Sequence, residues 1–142
     1  MAELLAAEAA ARVATADYNA GFQARADQVK NDLLAFLIEA RRAGRKVAAY
    51  GPPPRGITLL NYAGVRPDLL PWVVDRNPAK QGRFLPGSRI PIVTEARLRE
   101  EKPDIVLILP WNLQEEIMDQ LSYVREWGGW FVTAVPAVVV RA

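Results

Sequence analysis

Cysteine and histidine are both absent from this chain. Without cysteine there is no disulfide framework, thiol nucleophile or thiolate-held metal. Without histidine, no Ser-His-Asp triad, imidazole base or histidine zinc site can come from this chain alone. An excess of one charge is missing too. Lys and Arg number 18 against 16 Asp and Glu, a net +2, so no basic stripe for nucleic acid is expected. Long hydrophobic runs are lacking. The most apolar stretches, Ile105–Leu109 and Val135–Val140, fall far short of the ~20 residues of a membrane-spanning helix. The first residues, Met1–Arg12, are alanine-rich and acidic. They lack the positive start and leucine-type core of a signal peptide. A soluble cytoplasmic protein with no membrane partner is the expectation.

What is present is apolar. Hydrophobic residues make up 51% of 142, which excludes general disorder and suits a single domain with its own core. Residues 1–44 read as helix. Ala2 to Ala16 has high helical propensity and little to bury. From there Phe22, Ala26, Val29, Leu33, Phe36, Leu37 and Ala40 recur at helical spacing and form one face. Gly44 is a natural stop, with Arg41 and Arg42 beside the negative end of the helix dipole.

The period then changes. Lys46–Gly51, Leu70–Asp75, Ile90–Val93, Asp104–Leu109 and Trp130–Val135 are short, near-continuous apolar runs, as in strands buried on both faces. Val138–Val140 suits an added edge strand. Between them lie helical stretches. Pro54 opens one that Gly64 closes. Thr94 is placed to cap another over Glu95–Glu101. Asn112 and Glu115 have capping-box spacing ahead of Leu113, Ile117, Leu121 and Val124, a helix that Gly128-Gly129 ends. This alternation predicts an α/β, Rossmann-like, doubly wound parallel sheet of about five strands over 45–142, preceded by a long N-terminal helix in 1–44.

In such a sheet ligands bind outside the carboxyl ends of the strands. Three loops converge there. The first, Gly51 to Gly56, has the position of a phosphate cradle, but Pro52, Pro53 and Pro54 supply no N–H donors. Arg55 could supply charge and bidentate geometry instead. Equally, the prolines could only stiffen the turn. The second loop starts at Asp75, an acid suited to ribose or sugar hydroxyls. Arg76, Asn77 and Lys80 follow, and the positive charges suit a diphosphate. A solvated loop is the plainer reading, yet the Asn-Pro, Gln-Gly and Pro-Gly turns imply a shaped one. The third loop places Trp111 and Asn112 at the rim, for stacking or for capping the core. Tyr50 and Tyr62 read as packing residues.

A family resemblance rests on these same residues. Val47–Gly51, Gly56 and Leu59-Leu60-Asn61-Tyr62 open it. Val74-Asp75-Arg76-Asn77-Pro78-Ala79-Lys80-Gln81-Gly82-Arg83-Phe84-Leu85-Pro86-Gly87 and Leu109-Pro110-Trp111-Asn112-Leu113 carry most of it, and Trp127-Gly128-Gly129 also fits. Over Phe22 to Pro136 the chain resembles the C-terminal domain of sugar C-methyltransferases. These use S-adenosylmethionine and act on nucleotide-linked deoxysugars. The resemblance implies three parts: a cysteine-rich zinc-binding part, a central methyl-donor-binding domain, and this domain, which helps hold the nucleotide-sugar. It implies substrate-binding positions at Gly51, Arg55, Gly56, Asn61, Asp75, Arg76, Asn77, Lys80, Trp111 and Asn112, with no catalytic and no metal residue. No cofactor is expected in this chain; S-adenosylmethionine is expected on a methyltransferase partner or missing domain. Where the family has small residues and then lysine after Gly51, this chain has Pro52-Pro53-Pro54-Arg55. The ligand expected is a nucleotide-linked sugar or related anionic small molecule, and a homodimer through the N-terminal helix is the simplest assembly. A non-enzymatic interaction module that has lost ligand binding is the alternative. An independent dinucleotide-dependent enzyme fits less well, since G-x-G-x-x-G and a proton-transfer residue are missing.

Overall fold

The computed structural model describes residues 24–135 and 137–141. Phe22, the first position of the predicted helical face, and the stretch Ala2–Ala16 lie outside them. Residues 24–42 form helix α1. It ends as the glycine predicts: Gly44 takes φ +73° and the Arg45 N–H returns to the Ala40 carbonyl at 2.9 Å. Of the predicted stripe, Leu33, Leu37 and Ala40 are buried, while Ala26, Val29 and Phe36 stay half-buried. Full burial of a leucine stabilises by about 1.5–3 kcal/mol, so Leu33 and Leu37 anchor this helix. Arg41 does more than face the dipole, since its guanidinium donates to the Asp68 carbonyl at 2.7 Å.

Among the described residues, six strands make one sheet: β1 (Val47–Tyr50), β2 (Val73–Val74), β3 (Ile92–Val93), β4 (Ile105–Ile108), β5 (Trp130–Thr133) and β6 (Val139–Arg141). Their order is β3-β2-β1-β4-β5-β6. The first five run parallel, and β6 pairs antiparallel with β5, Val132 opposite Val140. The sheet thus has six strands where about five were expected, and it is mostly rather than wholly parallel. The added strand, Val139–Arg141, lies one residue on from the apolar Val138–Val140 run. It follows β5 too closely for a crossover helix, so only a reversal lets it pair.

Alternate residues serve two cores. Val47, Ala49, Ile105 and Leu107 pack with Leu33 and Leu37 of α1 and with Leu60 and Ala63 of α2 (Pro54–Ala63). Ala48, Tyr50, Val106 and Ile108 face Leu98 of α3 (Ala96–Glu101) and Ile117 of α4 (Gln114–Gln120). With both faces covered, β1 and β4 are buried throughout, which explains their unbroken apolar sequence.

Two predicted caps are absent. Neither Thr94 nor Asn112 caps by its side chain, because α3 starts from Glu95 and α4 from Leu113. A 3-10 turn over Trp111–Leu113 occupies the expected start of α4 and leaves Leu113 exposed rather than inside. The rest of that face is as predicted, with Ile117, Leu121 and Val124 buried and Gly128 left-handed at φ +78°.

Candidate functional site

The strand order reverses between β1 and β4, and there the first and third loops meet. Gly51 leaves β1 at φ +70°, and its N–H donates to the Val74 carbonyl at 2.7 Å. A Cβ on Gly51 would stand 3.2 Å from the Pro110 ring. Gly56 is equally close-packed, since a Cβ there would lie 3.0 Å from Leu109 Cβ. These approaches pull the start of α2 onto the end of β4. Pro53 forms the N-cap and Pro54 the first turn, so the missing proline N–H groups are ones a helix leaves unpaired anyway.

Between these loops lies a cleft of about 330 Å3, lined by Pro53, Pro54, Arg55, Leu109, Trp111 and Asn112 among others. The structure thus brings Arg55, Trp111 and Asn112 to one wall. Arg55 is exposed, and no ion pair or hydrogen bond within the described residues holds its guanidinium.

The second loop is built differently. Asp75 Oδ1 accepts the Asn77 N–H at 2.9 Å, and Asp75 Oδ2 pairs with Lys80 Nζ at 3.5 Å. Asn77 Oδ1 accepts the Ala79 N–H at 3.0 Å, and Gln81 donates to the Asp75 carbonyl at 2.8 Å. Arg76 pairs with Glu95 at 2.8 Å, and this hydrogen bond raises its already high pKa. Farther on, Phe84 bridges Pro91 and Leu85 N–H donates to the Ile90 carbonyl at 2.9 Å. The loop is therefore shaped, as its turn residues predict. Asp75, Arg76, Asn77 and Lys80 do not line the cleft that Arg55 lines. Asn61 does not line it either: it meets Gly87, where an added Cβ would stand 2.6 Å from Asn61 Oδ1.

Tyr50 ends β1 beneath this loop and is buried. Burial pushes its phenol pKa up; Arg76 pulls it back in part, and Glu95 and Asp75 add to the rise. It is neutral near pH 7 and is a packing group rather than a base.

A larger groove of about 680 Å3 was not legible in the sequence. It runs between α1 and α2, with Val29 on one side, Thr58, Leu59 and Tyr62 on the other, and Trp111 and Val135 at its end. The only trace of it there is the pair Leu59 and Tyr62 on α2, offset from the buried Gly56, Leu60 and Ala63.

Comparison with known proteins decides the family. A family profile described as the C-methyltransferase C-terminal domain matches residues 1–136. The chain belongs to the C-methyltransferase C-terminal domain family. The match includes the N-terminal segment, so it reaches further than the Phe22–Pro136 resemblance. This C-methyltransferase C-terminal domain is 33% identical over 136 residues to C-methyltransferase NovU of Streptomyces niveus. That alignment covers 96% of this chain and 32% of the relative, so the chain spans about a third of the curated relative's length. No helix among the described residues is long and apolar enough to cross a membrane.

Proposed function

We propose that this chain is the part of a sugar C-methyltransferase that holds a nucleotide-linked sugar. It presents the sugar to a methyltransferase part on the same polypeptide or on a partner chain. S-adenosylmethionine, bound to that other part, supplies the methyl group. The observation that carries this reading is the exposed Arg55 guanidinium, without an ion pair among the described residues, on one wall with Trp111 and Asn112 at the reversal of strand order. Order β3-β2-β1-β4-β5 with both faces covered supports a Rossmann-like sheet, whose ligands sit at that reversal.

Arg55 faces the diphosphate as a bidentate donor, at the positive end of α2. Trp111 closes the side against a ring, and the Asn112 amide serves sugar hydroxyls. Asp75 stands off the cleft and serves the ligand by ordering the second loop through Asn77 and Lys80. Gly51 and Gly56 act by allowing close approach, and Asn61 by seating the second loop. The cleft does not suit the methyl donor, whose sulfonium and ammonium groups are cations, because it carries the Arg55 guanidinium and no carboxylate. A cytoplasmic location and a homodimer through the N-terminal helix, at Phe36 and the exposed Ile38 rather than at the groove, belong to the same proposal.

The test is titration of the chain with a nucleotide-linked deoxysugar, followed by the Trp111 indole and Asn112 amide resonances. Arg55→Ala should weaken binding roughly ten- to a hundredfold, as for a lost charge-assisted contact. Saturable binding that Arg55→Ala leaves unchanged would place the ligand elsewhere. A second reading, an interaction module, draws support from the same Pro52–Pro54 run and from the mutual neutralisation of Asp75 and Lys80. It requires no saturable binding up to millimolar ligand.

A further inference from the structure

The cleft and the larger groove are not separate features. Pro54, Arg55 and Trp111 line both, so the two spaces share a wall and meet at the Arg55 side chain. Their chemistry differs. The cleft carries Asn112 and the exposed first turn of α2. The groove is walled by Ala26, Val29, Leu59, the Tyr62 and Trp111 rings and Val135. Its hydroxyls are committed within the chain: Thr58 Oγ1 donates to the Pro54 carbonyl at 2.9 Å, and the Tyr62 hydroxyl donates to the Asp27 carboxylate. Arg25 and Arg55 are the cations along it.

A sugar seated in such a groove would find hydrogen-bond partners only at the two guanidiniums and apolar walls elsewhere, which costs free energy for each hydroxyl left unpaired. A flat heteroaromatic ring suits it, since its faces can pack on apolar and aromatic walls while its edge stays wet. Resting on the nucleotide-sugar reading above, we infer that the groove between α1 and α2 is the nucleoside subsite of the same ligand. It takes the base, Arg55 at the shared wall holds the diphosphate, and the sugar occupies the cleft. Specificity for the base then lies with Val29, Leu59 and Tyr62, residues outside the three polar loops.

The test compares thymidine 5′-diphosphate with inorganic pyrophosphate on the full chain, on Thr58→Trp, which fills the groove, and on Val29→Glu, which charges it. Thymidine diphosphate should bind the wild type at least ~10-fold more tightly than pyrophosphate, the gain expected of one stacked base. Both variants should lose that gain and keep pyrophosphate affinity, which also reports that they are folded. As a check on the unaltered chain, saturation-transfer NMR should show magnetisation passing from protein methyl groups to the thymine protons. Equal affinity for the two probes overturns the subsite while leaving the proposed function standing. So does thymidine diphosphate binding that neither variant changes, or thymine protons that receive no transfer. The same holds if the variants alter only the sedimentation mass, which would assign the groove to a second copy of the chain. Absence of binding by either probe overturns both readings.

Discussion

Gly51 and Pro110 meet at the ends of β1 and β4, where an added Cβ would be tighter than ordinary van der Waals contact. The glycine is left-handed at φ +70°, and a Cβ on it would reach the proline ring at 3.2 Å. That contact lies at the reversal of strand order, beside the starts of α2 and of the Trp111–Leu113 turn.

Gly51→Ala should therefore destabilise the chain by more than the ~1–2 kcal/mol of left-handed strain alone. Gly64 has the same φ, +70°, but open space around it. Urea unfolding of Gly51→Ala and Gly64→Ala separates the two terms. A larger loss at Gly51, with the slope against urea unchanged, is the expected result. Equal losses would mean that the Pro110 contact yields without cost.

Gly87 and Asn61 form a second such pair, joining the β2–β3 loop to α2. An added Cβ would lie 2.6 Å from Asn61 Oδ1, and Gly87 has φ +81°. Gly87→Ala should be less harmful in an Asn61→Ala background. The coupling expected for touching residues is about 0.5–3 kcal/mol, read from a double-mutant cycle. Additive effects would show that the Asn61 amide simply swings aside.

Much of the fold could be read because local chemistry and tertiary placement agree. Pro54 and Gly64 bound α2 since one has no N–H to lose and the other adopts the left-handed cap. The reversal of β6 could not be read from Val138–Val140, whose apolar pattern serves either direction. The caps expected of Thr94 and Asn112 failed because the chain enters α3 already helical at Glu95 and enters α4 through a 3-10 turn. In the site, the meeting of Arg55 with Trp111 and Asn112 follows from strand order. The separation of Asp75 from that cleft does not, since it depends on contacts to Asn77 and Lys80 that form only once the loop closes. The groove was hidden because it depends on how α1 and α2 lie side by side.

Asp75 and Arg76 are neighbours with different burdens. The Asp75 side chain is 14% exposed and holds a backbone N–H, whereas Arg76 is 52% exposed in its ion pair. Asp75→Ala should cost roughly 1 kcal/mol and speed hydrogen exchange at the Asn77 amide. Arg76→Ala should stay within ~0.5 kcal/mol, as surface pairs do. Similar losses from both would contradict this division.

Alkaline pH should weaken the fold through its tyrosines. Burial is the largest cause raising the pKa of both Tyr50 and Tyr123, and Glu95 adds to it in each case. A folded-state pKa above the unfolded value means that the native state holds the proton more tightly. The contribution is fully present below the ordinary tyrosine value of ~10 and is lost as pH rises through the raised one. Urea midpoints should fall above about pH 10, and the Tyr50→Phe, Tyr123→Phe double variant should flatten that fall. An unchanged slope in the double variant would assign the effect to other groups.

The central claim is that this domain holds the acceptor and not the methyl donor. Calorimetric titration of the 142-residue chain with a nucleotide-linked deoxysugar and, separately, with S-adenosylmethionine tests it most directly. Saturable heat with the sugar nucleotide, diminished by Arg55→Ala, and none with the donor is the predicted result. Micromolar binding of S-adenosylmethionine with none of the sugar nucleotide would contradict it.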